Sequence, residues 1–176
     1  MMSGQPESGF SVRHEVRETP DKGLGVFAMG PIVEGHVVWR FVPGLYDVFD
    51  EAGFVDHIAG MDRDALVYEF THSFGFSDFP TCVIRPRDAG GLINHATHAN
   101  LATNFACPFQ APTGQRDTNS VDYVRRALQQ DRFALIATRP IATGEELTNN
   151  YTEDIFDPDF FDRLYEEYGI EEDYLD

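Results

Sequence analysis

The chain has 176 residues, 42% of them hydrophobic, which is enough for the core of one ordinary domain and shows no linker between two. Thirty acidic residues against 13 basic ones give a formal net charge of −17, which repels phosphate backbones, argues against direct nucleic-acid binding and favours a basic partner. No apolar run approaches the ~18 residues of a membrane span, the polar start lacks the order of a secretory signal, and two cysteines, Cys82 and Cys107, are too few for a disulfide framework. A reduced, soluble, intracellular protein is therefore expected, in the cytoplasm or the nucleus.

Residues 1–9 are expected to be disordered. The spacing then predicts a strand over 10–17, where Phe10, Val12, His14 and Val16 alternate with polar neighbours, a turn over 19–23, and a second strand over 24–29. A third strand over 36–42 completes what reads as a β-meander. From 45 to 68 the spacing becomes helical, with Val48, Ala52, Val55 and Ile58 on one stripe and Asp62 as the cap of a second short helix. Strands are expected over 81–85, 101–106 and 132–139, an exposed loop over 110–119, and a helix over 120–130 through Val121, Val124 and Leu128.

The last element is better marked. Asp157-Pro158 predicts a cap followed by proline in the first turn, Gly169 predicts a stop, and Phe160, Phe161, Leu164, Tyr165 and Tyr168 form one apolar face between them. Over 153–176 eleven carboxylates face only Arg163, which reads either as a solubilising surface or as an attractor for a basic substrate. Strands alternating with few long helices give a β-rich α+β fold class and exclude a doubly wound parallel sheet.

Three segments carry chemistry. Lys22-Gly23-Leu24-Gly25-Val26-Phe27-Ala28 pairs two glycines, so its backbone can approach a ligand closely, although a plain turn between strands has the same look. In Leu92-Ile93-Asn94-His95-Ala96-Thr97-His98-Ala99-Asn100 an apolar strand end runs into Asn and His, which both donate and accept hydrogen bonds. His95 and His98 lack a third ligand nearby, so no metal is expected. Ala137-Thr138-Arg139-Pro140-Ile141-Ala142-Thr143-Gly144-Glu145-Glu146-Leu147-Thr148-Asn149-Asn150-Tyr151 reads as a strand, a turn and a second short strand ending in tyrosine, although a hairpin with a packed tyrosine has the same look.

Taken in this order, the segments resemble the SET-domain family of protein-lysine methyltransferases, and Arg87-Asp88-Ala89 is similar to the family's lead-in to its Asn-His segment. The resemblance implies a SET domain over 10–152, built of several small sheets with a C-terminal pseudoknot and short helices, and an acidic aromatic helix over 153–176 packed on it. It implies S-adenosylmethionine as cofactor, held by Lys22, Gly23, Leu24, Gly25, Asn94, His95 and Tyr151, with Tyr151 also the catalytic residue and no metal. A lysine channel would be lined by Phe41, Thr103, Asn149, Phe160, Phe161 and Tyr165, and the substrate would be a basic protein.

Several positions depart from the family. Ala96 and Thr97 replace the usual Ser-Cys, Phe41 stands where a tyrosine is common, and Asn149 occupies a place that often limits the number of methyls added. The cysteine-rich zinc segment of many relatives is missing, which leaves the aromatic C-terminal helix to cover the channel. These departures keep two other readings open: a catalytically impaired module that binds basic protein tails, and a transferase acting on a small amine.

Overall fold

The structure, a computed structural model, describes residues 8–112 and 120–170. It opens with a hairpin of β1 (His14–Glu18) and β2 (Leu24–Ala28), whose turn is closed by Gly23 at φ 71° and by Thr19 N donating to the Gly23 carbonyl. The first strand starts later than the alternation predicts, because Phe10 leaves the hairpin line to bridge Trp39. Of the segment expected to be disordered, residues 1–7 lie outside the described residues, while Gly9 N donates to Asp88 Oδ2 at 2.6 Å.

β3 (Val37–Trp39) does not extend a meander, since its partner comes from far along the chain. β4 (Tyr46–Phe49) stands where the first helix was expected to begin. Tyr46 and Val48 point inward and Asp47 and Phe49 do not, so the period here is two, and Val48 belongs to a strand. α1 (Glu51–Ile58) is capped by Asp50 and buries Phe54 and Ile58, whereas Ala52 on the expected stripe is exposed. α2 (Arg63–Thr71) starts at the expected cap, with Asp62 Oδ1 accepting from Ala65 N at 2.9 Å.

β5 (Gly75–Phe76), β6 (Val83–Pro86), a 3-10 turn over Ala89–Leu92, β7 (Asn94–His95) and β8 (Leu101–Thr103) follow. α3 (Val121–Ala127) is capped by Ser120 and presents Tyr123, Val124 and Ala127 to the core, and most of the loop expected before it lies outside the described residues. β9 (Leu135–Ala137), β10 (Glu146–Asn149), α4 (Tyr151–Asp154), β11 (Ile155–Phe156) and α5 (Phe161–Tyr168) complete the order. Asp157 does not cap α5, because its carboxylate turns instead to Tyr165; Gly169, left-handed at φ 63°, does end the helix. Residues 171–176 of the acidic tail lie outside the described residues, and no described helix is long and apolar enough to cross a membrane.

The largest sheet has seven strands in the order β1-β2-β10-β8-β9-β3, with β7 also on β10. β10 is antiparallel to β2 but parallel to β7 and β8, so the C-terminal strand threads between segments laid down earlier. Two small sheets, β4 with β6 and β5 with β11, flank it. The threading strand is held by Asn100, which is buried: its Oδ1 accepts from Thr148 N at 2.9 Å and its Nδ2 donates to the Glu146 carbonyl at 2.7 Å.

There are two apolar clusters. The larger joins β2, β3, β4, β6, β8 and β9 through residues such as Val26, Trp39, Val48, Ile84, Leu101 and Leu135. The smaller packs α5 on α1 and α2, with the Phe161 ring 5.1 Å from those of Phe54 and Phe70. Between α2 and β6, buried Glu69 is held by Arg85 Nη2 at 2.8 Å and by His57 Nε2 at 2.9 Å. Burial pushes its carboxyl up, but the Arg85 and His57 bonds together outweigh that and leave it below its ordinary value.

Two stability predictions follow from these contacts. Asn100→Ala strands one buried and one half-buried backbone group and should cost about 3 kcal/mol, read as a lower urea midpoint at unchanged slope. Glu69 contributes stability that is present above its unfolded pKa of 4.5 and lost as pH falls through the lower folded value. Glu69→Gln should therefore flatten the acid limb of the stability–pH curve and, by leaving Arg85 half-buried without its counter-charge, lower stability at neutral pH by about 3 kcal/mol.

Candidate active site

Strand pairing decides what meets here. The register of β10 on β7 sets Thr148 beside Asn94 and Asn149 beside His95, while its other edge sets Glu146 against Phe27 of β2. The glycine turn at the start of β2 is thereby carried to the Asn-His pair. Asn94 Nδ2 donates to the Leu24 carbonyl at 3.1 Å and to Glu146 Oε1 at 2.8 Å, and Lys22 Nζ donates to the His95 carbonyl at 2.8 Å. A Cβ at Gly25 would lie 2.7 Å from Glu146 Oε1 and 2.9 Å from Asn94 Nδ2, so a side chain there would have to displace both groups. Lys22, Gly23, Leu24, Gly25, Asn94 and His95 thus form one polar shelf with exposed backbone at Lys22, Gly23 and Leu24.

Tyr151 follows β10 by two residues and is tied to the same shelf. Its N–H donates to His95 Nδ1 at 3.1 Å, which makes Nδ1 the acceptor nitrogen of that ring, and its hydroxyl donates to the Ile93 carbonyl. Although the residue is 36% exposed, its hydroxyl end is stripped of water, and burial pushes its pKa up to about 12. The phenol is therefore neutral at physiological pH.

Tyr151 also lines a cavity of about 210 Å³ whose wall is mostly aromatic. Of the channel residues expected from the sequence, Phe41, Thr103, Asn149 and Tyr165 line it. Phe160 and Phe161 do not. Both belong to the cluster between α5, α1 and α2, where they anchor the helix that brings Tyr165 to the cavity. Among the described residues there is no group of three or more His, Cys, Asp or Glu arranged to hold a metal ion.

Sequence reasoning missed several of the cavity's residues. Trp39 stands edge-on to Phe41 at 4.6 Å and is held by Asp88, which accepts from its Nε1 at 3.1 Å. Gly90 makes room for that indole, because a Cβ there would lie 2.3 Å from it. Ser73, Phe156 and Asp157 enter through the pairing of β5 with β11, a ladder of two residues that no periodicity in the sequence can announce. Asp88, within the Arg87-Asp88-Ala89 lead-in, is the signal in the sequence that bears on the Trp39 wall.

The alkaline titration of the phenol offers a direct check on this geometry. Because the folded pKa of Tyr151 lies above the ordinary 10.0, the neutral phenol's contribution to stability is full below pH 10 and is lost as pH rises towards 12. Ultraviolet titration of the folded protein should show Tyr151 ionising near the upper end, and the Tyr151→Phe difference spectrum should place the missing step there rather than near 10.

No curated protein matches the sequence. The model of the SET domain, however, matches residues 23–152, a stretch that runs from the glycine turn through the Asn-His strand to the residue after Tyr151 and so spans every part of the shelf except Lys22. With most of the chain matched, and with the glycine turn, the threaded strand and the tyrosine meeting at one place, the protein belongs to the SET domain family.

Proposed function

We propose that the protein transfers a methyl group from S-adenosylmethionine to the side-chain amine of a lysine on a basic protein. One observation carries this reading: the polar shelf and the aromatic cavity meet at the same residue, Tyr151. A donor and an acceptor that must touch only at their reacting atoms need such a pair of sites with a shared wall.

The shelf suits the donor. The exposed turn residues Lys22, Gly23 and Leu24, the Gly25 backbone beside them and the side chain of Asn94 are the groups that would hold S-adenosylmethionine, with His95 and Tyr151 at the inner edge. When bound, the cofactor supplies an electrophilic methyl on a sulfonium and is left as S-adenosylhomocysteine.

This chain's own residues do the rest. A lysine amine is protonated up to about pH 10.4 and attacks only as the free base. The aromatic wall of Phe41, Phe76 and Phe133 desolvates the amine, which lowers its pKa and favours loss of the proton. Tyr151 keeps its proton and spends it on the Ile93 carbonyl, so its oxygen is held still with lone pairs free to accept from the methyl or the amine. Alignment of the three reacting atoms then supplies most of the acceleration. Buried Asn149 lines the same cavity and would influence how many methyls fit beside the nitrogen. The charge of −17 would draw a lysine-rich partner to the surface.

Incubating the protein with methyl-labelled S-adenosylmethionine and a cell lysate tests the proposal. The wild type should label a discrete protein band, and Tyr151→Phe should lower that labelling by roughly 100-fold through lost alignment. Labelling that persists at wild-type level in Tyr151→Phe would remove Tyr151 from the chemistry.

A further inference from the structure

We infer that Asp157 and Ser73 form a docking point at the cavity that receives the substrate amine as a cation before it reaches Tyr151, and so select an ammonium over a neutral side chain of the same shape. The inference rests on the transferase reading of the same cavity.

Three features lead there. Among the described residues that line the cavity, Asp157 is the sole carboxylate. Tyr165 donates to its Oδ2 at 2.8 Å, which orients the carboxyl group, and no described residue takes Oδ1. Ser73 supplies the second, independent feature. Its side chain is buried at 5% exposure and lines the same cavity, yet its Oγ has no hydrogen-bond partner among the described residues. An unpaired buried hydroxyl is costly unless a ligand satisfies it.

The fold brings the two groups to one cavity: β11 pairs with β5 so that Phe156 faces Gly75, Asp157 follows that pair by one residue and Ser73 precedes it by two, and both line the cavity. An ammonium has three N–H donors, and a carboxylate oxygen with a hydroxyl can accept two of them. Among the described residues that line the cavity nothing cationic competes, because the one basic side chain there, His72, is pushed below its ordinary value by burial and is neutral at neutral pH. Although Asp157 as a residue is exposed, partial desolvation of its carboxyl end lifts that group above its usual value, with Asp162 adding to the rise.

The placement resolves a conflict in the chemistry. A carboxylate beside the reacting nitrogen would hold its proton on, yet a wholly apolar cavity would refuse a lysine, which arrives charged. Asp157 is an exposed residue at the rim, and the wall of Phe41, Ile93, Thr103 and Tyr151 carries no carboxylate. The cation is welcomed at one end and destabilised at the other.

The protein's one tryptophan, Trp39, lines the cavity, so its emission reports occupancy without any turnover. The experiment titrates n-pentylammonium and, as the uncharged isostere, 1-pentanol into the full chain at neutral pH, with S-adenosylmethionine binding followed separately by calorimetry. Wild type should prefer the ammonium. Asp157→Asn, whose amide oxygen can still accept from Tyr165, should weaken ammonium binding about tenfold and leave 1-pentanol unchanged. Ser73→Ala should weaken the ammonium about threefold. Equal affinity for the two probes in the wild type, equal ammonium binding in wild type and Asp157→Asn, or an equal loss of both probes in that variant would each overturn the inference. Absence of S-adenosylmethionine binding by the wild type would instead strike the transferase reading, and the two failures are read on different signals.

Discussion

Everything at the site hangs on one threaded strand. Residues 146–149 enter between the N-terminal hairpin and the Asn94–His95 strand, and they stay there because Asn100 takes over hydrogen-bonding groups that the irregular crossing would leave stranded. A buried amide that pairs with two backbone groups of a foreign segment acts as a register pin. A one-residue slip of that strand would turn Leu147 out of the core and Thr148 away from Asn94.

From that pin the rest of the geometry follows with little freedom. Glu146 reaches the Asn94 amide, Asn94 reaches the Leu24 carbonyl, and Gly25 stays glycine because these groups crowd it. Tyr151 is the second residue after the strand, so its position is inherited from the strand rather than set by a loop of its own. Rigid elements thus hold both sides of the place where two substrates would meet, as a reaction that depends on alignment requires.

The cavity lies where the two apolar clusters adjoin. Trp39, Phe41 and Phe133 come to it from the sheet side, and Phe70 and Tyr165 from the helices. Helix α5 holds its place through Phe161 and Leu164, both fully buried, so the terminal helix contributes to the cavity through Tyr165 while most of its aromatic face works as core. The shared face groups Phe160, Phe161 and Tyr165 as channel residues; all three are buried in the helix cluster, and of them Tyr165 alone also borders the cavity. The same division separates Asp157, whose partner is Tyr165, from the capping role its place before Pro158 suggests.

The amino-acid sequence by itself determined the β-rich class, the hairpin around the glycine turn, the cap at Asp62, a helix after Ser120, the stop at Gly169, and the three segments from which the shelf is made. Each of these is a local matter, legible because turn chemistry, capping and the period of apolar residues act over a few neighbours. Only the tertiary structure decided that β3 leaves the meander for β9, that 46–49 is a strand, and that Trp39, Ser73 and Asp157 share one cavity. Those outcomes depend on pairings between distant residues, in ladders as short as two, where the energy of contact between segments overrides what either segment prefers alone.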